Sequence, residues 1–137
     1  MSTQTPKSEY MLLFRGGDWH KGLSPEEIQT VMSQWKNWFE RLTSSGKAKA
    51  GHPLEREGKI VSGKKGRQVA DGPFAESKEA IGGYFFLEVS GMDEAVAIAK
   101  ECPGLDYGSI VEVRPVAAEC PLAREGVAEE QLAHAGA

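Results

Sequence analysis

The chain has 137 residues, 40% of them hydrophobic and 26% charged, which suits one globular domain around a single core. Sixteen lysines and arginines against 20 aspartates and glutamates leave a formal net charge of −4, which argues against nucleic acid or an anionic membrane surface as a partner. No apolar run approaches the roughly 18 residues of a membrane span, and residues 1–9 form a polar leader rather than a secretory signal. The expectation is a soluble, cytoplasmic protein. Cys102 and Cys120 each precede a proline and belong to no CxxC pair or Cys/His cluster, so structural zinc is not expected. A disulfide would be unusual in a reducing cytosol.

Residues 10–15 form an apolar run closed by Gly16-Gly17, the pattern of a strand buried on both faces. Ser24-Pro25-Glu26-Glu27 then combines a serine N-cap, a proline at the first helical position and a glutamate three residues after the cap. The amphipathic helix that starts there carries Ile28, Val31, Met32, Trp35, Trp38, Phe39 and Leu42 as one apolar stripe and ends near Ser45-Gly46. From Lys47 to Glu57 the chain turns polar and is broken by Gly51 and Pro53, so structure there is expected to be short or irregular. Residues 59–62 and 67–70 read as a hairpin around Gly63-Lys64-Lys65-Gly66.

The aromatic and β-branched run 81–89 reads as a central strand, its paired glycines marking a bulge or a close backbone approach. Ser90-Gly91-Met92-Asp93 offers a second capping box for a helix of about three turns, stopped by Pro103-Gly104. Residues 109–116 alternate as a last strand, and the Ala/Glu-rich tail, residues 117–137, has little to bury. Strand, helix, hairpin, strand, helix, strand is the split βαβ, ferredoxin-like α+β plan, with two helices on one face of an antiparallel sheet. Two helices cover only one face, yet the first strand is apolar on both. A symmetric homodimer packed sheet to sheet is therefore expected, with cover by the chain's own tail as the alternative.

Asp71-Gly72-Pro73-Phe74-Ala75-Glu76-Ser77-Lys78-Glu79, then Gly82-Gly83-Tyr84, Asp93-Glu94-Ala95 and Val111-Glu112-Val113-Arg114-Pro115 follow one another in the order of a known motif series. Over residues 10–116 the chain resembles the YCII-related family, in its DGPF subgroup. The resemblance implies a dimeric α+β barrel of ferredoxin-like subunits. It also implies two kinds of function: some members look like small enzymes with a His-Asp pair in a cleft, and DGPF members are often encoded beside extracytoplasmic-function sigma factors. Related dimeric α+β barrels include monooxygenases and lactone isomerases that work without a metal.

Asp71 sits where a strand end meets turn chemistry, so its carboxylate is either a general base or ligand-orienting acceptor or the oxygen of an Asx turn, and the two roles are compatible. His52, held extended by Pro53, would shuttle protons with Asp71 if the two face each other; the rival reading is a solvated loop histidine. Asp18 and His20 make too weak a pair for a metal site, and no metal is expected. Arg15, Glu76, Lys78 and Arg114 are candidates for binding a small carboxylate or phosphate, Arg114 by a bidentate fork, although Glu112 and Arg114 also suit an ion pair between stacked sheets. Tyr84, Trp35 and Trp38 would either stack on an aromatic ligand or fill the core. No glycine-rich phosphate loop or GxSxG elbow is present, and the expected chemistry uses no cofactor. Two functions stand: a small-molecule-binding homodimer with cofactor-free acid-base chemistry near Asp71, or a non-catalytic regulatory module acting with a sigma factor.

Overall fold

The computed structural model describes residues 7–16, 19–72 and 80–124. Strand β1, Ser8–Arg15, leads to helix α1, Pro25–Ser44, and then to β2, Ala48–Pro53. A hairpin of β3, Lys59–Ser62, and β4, Gln68–Asp71, precedes β5, Ile81–Val89. Helix α2, Met92–Ala99, a 3₁₀ segment at Pro103–Tyr107, strand β6, Ile110–Pro115, and a short helix α3, Pro121–Arg124, complete the order. Four strands form one antiparallel sheet in the spatial order β2-β5-β1-β6, the ferredoxin-like arrangement. No helix among the described residues is long and apolar enough to cross a membrane.

Helix α1 starts as its sequence predicts. The Ser24 hydroxyl accepts the Glu27 N–H at 3.1 Å, and the Glu27 carboxylate accepts the Ser24 N–H at 3.0 Å. Those bonds hold the Glu27 carboxyl below its usual pKa and close two of the helix's free N–H groups. The second helix departs from expectation. Its N-cap is Gly91, with no side-chain cap, and the helix proper is eight residues, about two turns. Because it begins at Met92, the acid that reaches back is Glu94, not Asp93: Glu94 accepts the Ser90 N–H at 2.8 Å and pairs with Lys47 at 2.8 Å.

The stretch expected to be irregular forms a sheet strand instead. Strand β2 pairs Gly51 with Phe85 and His52 with Tyr84, after a bulge between Ala48 and Ala50. Its small residues answer a packing demand, since a Cβ on Gly51 would meet the rings of Phe85 and Phe39 at 2.6 and 2.8 Å. The hairpin, by contrast, stays out of this sheet. Strands β3 and β4 pair only with each other, and Ile60, Val61 and Val69 remain exposed on them.

The core lies between the sheet and the helices. Tyr10, Leu12 and Phe14 of β1 and Phe85, Leu87 and Val89 of β5 point toward Trp38 and Leu42 of α1 and Ala95, Ile98 and Ala99 of α2. Leu12, Leu87 and Trp38 have no exposed surface, and burying each contributes about 2 kcal/mol or more. Phe85 is ringed by aromatics, with centroid distances of 4.9 Å to Phe14, 5.0 Å to Trp38 and 4.8 Å to Phe39. On the helix-free face, Met11 and Leu13 of β1 stand beside Phe86 and Tyr84 of β5. This is the two-faced character read from the first strand.

Candidate functional site

Strand β1 ends and β5 begins at the same end of the sheet, and there the chain forms a half-open cavity of about 540 Å³. Its apolar wall is built from Phe14, Trp35, Phe39 and Phe85, which reach it from the helix side. Tyr84 and His52 line it from paired positions on β5 and β2. Gly83 permits that approach, because a Cβ there would stand 3.0 Å from the His52 carbonyl oxygen and 3.3 Å from Pro53 Cα. Among the described residues, Arg15, Lys36 and Arg56 bring three positive charges to the lining against the one negative charge of Glu55. The volume and the mixture of aromatic wall with a few polar groups are those of a small-molecule site.

His52 and Tyr84 form a bonded pair, with Nδ1 and the phenol oxygen 2.9 Å apart and the rings tilted at 45°. Asp71 takes a different partner. It ends β4, is well exposed, pairs with Lys59 across the hairpin, and does not line the cavity. The structure therefore places no contact between His52 and Asp71 and gives His52 a phenol instead. His20 accepts a hydrogen bond from Arg56 through Nε2 at 3.2 Å, since a guanidinium can only donate. Among the described residues no group of three metal-ligating side chains comes together. Glu76 and Lys78, and Asp18 with them, lie outside the described residues.

Arg15 and Arg114 share one carboxylate. Arg15 Nε is 3.6 Å from one oxygen of Glu112, and Arg114 Nη1 is 3.6 Å from the other. At that distance Arg15 Nε makes no hydrogen bond, so this buried donor is unmatched by the protein. Arg114 is mostly exposed on β6 and is not part of the cavity lining. Trp35 does line the cavity, whereas Trp38 is wholly core. Lys36 and Arg56 are lining residues that the sequence does not mark: Lys36 reads as the solvent side of an amphipathic helix, and Arg56 as part of a polar stretch. Only the path of the chain after β2 brings Arg56 back over the end of the sheet.

Fold and cavity together define an α+β protein of ferredoxin-like topology with a ligand-sized cavity at one end of its sheet. Within that class the chain belongs to the YCII-related domain family, whose family model matches residues 8–118. Comparison with curated proteins finds no match.

Proposed function

We propose that the protein is a small-molecule-binding homodimer that performs cofactor-free acid-base chemistry on a ligand held in the end-of-sheet cavity. The observation that carries this reading is the His52–Tyr84 pair on the wall of an aromatic-lined cavity. An imidazole exchanges protons near neutral pH, and its two nitrogens divide the work. When Nδ1–H donates to the phenol oxygen, Nε2 is free to take a proton; when the phenol donates to Nδ1, Nε2 carries a proton to give. The pair thus suits proton transfer at a carbon beside a carbonyl. Asp71, paired with Lys59, serves the hairpin in this reading, where the Gly72 N–H also bonds to the Gly58 carbonyl at 3.1 Å.

A second copy of the chain suits the helix-free face. Its centre is the apolar stripe of Met11, Leu13 and Phe86. Glu9 and Glu88 around Lys49 leave one excess negative charge at one corner, and Arg114, mostly exposed along the β6 side, is the cation that can answer it from a second copy. A two-fold axis that sets these regions against each other matches opposite charges over a shared apolar centre.

The test is proton exchange followed by NMR in D₂O, using a panel of unsaturated lactones and β-keto acids with wild type, His52→Gln and Tyr84→Phe. Exchange catalysed by wild type should fall about 100-fold or more in His52→Gln. A His52→Gln protein that exchanges at the wild-type rate sinks the acid-base assignment. Light scattering tests the assembly separately: wild type should have the mass of a dimer, and Leu13→Lys that of a monomer.

A further inference from the structure

The charge around the cavity is the reverse of the charge of the chain. A protein with a formal net charge of −4 lines this cavity, among the described residues, with Arg15, Lys36 and Arg56 against Glu55. None of the three cations is neutralised by a carboxylate of its own among the described residues. Arg15 shares Glu112 with Arg114, and neither of those contacts is closer than 3.6 Å. Arg56 has only the imidazole nitrogen of His20 as its partner, at 3.2 Å. Lys36 has no ion pair among the described residues. Lys47 binds Glu94 at 2.8 Å, Lys49 binds Glu88 at 3.0 Å, and Lys59 pairs with Asp71, so what marks the cavity is the gathering of three unmatched cations at one place. Unmatched positive charge is thus gathered at the mouth of an aromatic hollow.

From this arrangement we infer that the cavity takes an aromatic or similarly flat apolar carboxylate, its body against Phe14, Trp35, Phe39 and Phe85 and its head group toward Arg15, Lys36 and Arg56. The inference rests on reading the cavity as a ligand site and adds the chemical class of the ligand. Two features select this class over a phosphorylated or wholly polar anion. The back wall is made of rings whose one polar group is the unpaired Trp35 indole N–H, and it would leave most hydroxyls of a polyol or sugar unsatisfied. Among the described residues no helix N-terminus lines the cavity to cradle a phosphate. A carboxylate accepts from a guanidinium and an ammonium together, while its attached ring stacks on the aromatic wall.

The test is a binding titration of the full chain with 2-naphthoate, its neutral isostere 2-naphthamide and the polar anion citrate, followed by tryptophan fluorescence and by the thermal midpoint. Trp19 and Trp35 line the cavity and report occupancy directly. Naphthoate should bind at least about tenfold more tightly than the amide, as loss of one charge-assisted contact requires, and citrate should not compete. Lys36→Gln and Arg56→Gln should each remove several-fold of the acid-over-amide preference, weakening naphthoate more than the amide. Equal binding of acid and amide, or citrate binding as tightly as naphthoate, overturns the anion inference and leaves the cavity standing as a ligand site. Failure of all three probes to bind overturns the cavity reading itself. An exchange defect in His52→Gln that leaves naphthoate binding intact supports both.

Discussion

Gly51→Ala isolates the contact that joins fold and cavity. The backbone of Gly51 does not lie in the left-handed region, so alanine carries no conformational penalty, and the whole cost is steric. The new Cβ would stand 2.6 Å from Cδ1 of Phe85 and 2.8 Å from Cε1 of Phe39, both well inside van der Waals contact. Phe85 is closely flanked by Phe14 and Trp38, so relief must come by pushing rings into the cavity or by parting β2 from β5. Overpacking of this kind costs about 1–3 kcal/mol, and the stiffer unfolded chain returns about 0.4–1 kcal/mol. A net loss of about 1–2 kcal/mol follows, or a fall of about 4–8 °C in Tm. Urea unfolding at neutral pH measures it. Gly91→Ala is the control, because no atom lies within 4 Å of a Cβ built there and its φ of 170° is extended backbone open to any residue. A Gly51→Ala protein as stable as Gly91→Ala, with unaltered naphthoate binding, would refute the packing argument.

Glu94 supplies a pH dependence whose sign is fixed. The Lys47 ammonium and then the Ser90 N–H hold its carboxyl down from the usual 4.5 to about 2. A depressed carboxyl contributes stability that is fully present above about pH 4.5 and lost as pH falls toward 2. Since the pair is partly solvated, the contribution is discounted to about 1 kcal/mol. Glu94→Gln should therefore be less stable than wild type by that amount at pH 7 in urea unfolding, with the gap narrowing below pH 4.5; a constant gap across pH contradicts the linkage. The two thiols should also separate. Burial pushes Cys102 up to about 11, whereas Cys120 is exposed, so a disulfide reagent should titrate one thiol in the native protein and two after denaturation. Two rapidly reacting thiols in the native state contradict that burial.

Legibility in the sequence followed the range of the interactions. Ser24, Pro25 and Glu27 act on one another within a single turn, and the helix they start is where the sequence predicts it. The apolar residues at both phases of β1 likewise report that neither face of the strand is polar, and the structure shows that Tyr10, Leu12 and Phe14 are the set that meets the helices. Strand β2 was invisible for the opposite reason. Ala48, Ala50 and Gly51 have weak strand preference, and the absence of a side chain at Gly51 is dictated by Phe39 and Phe85, residues distant in the chain. The hairpin shows the limit of local signals: its turn residues were read correctly, but nothing in them says whether its strands join the main sheet. Site residues divide in the same way. His52, Arg15 and Tyr84 stood out and line the cavity, whereas the partner of His52 is set by the cross-strand register of β2 and β5, which places Tyr84 beside it and leaves Asp71 on the hairpin.

That register also explains why one cavity combines an apolar wall with a proton-transfer pair. Successive residues of a strand point to opposite faces, so Phe14 and Phe85 turn to the helix side while Arg15 and Tyr84 turn to the open side. Mid-sheet, the backbone separates the two sets. At the end of the sheet, where Pro53 ends β2, Gly82-Gly83 opens β5 and the β1–β5 register shifts between Phe14 and Arg15, both sets border one space. The two halves of the site should therefore respond separately to mutation. Trp35→Leu removes part of the apolar wall, so it should weaken naphthoate and naphthamide by the same factor and preserve their ratio. Arg56→Gln should lower that ratio, weakening naphthoate more than naphthamide. A Trp35→Leu protein whose acid-over-amide preference collapses would show that wall and charge act as one unit, and the division of the site by strand alternation would be wrong.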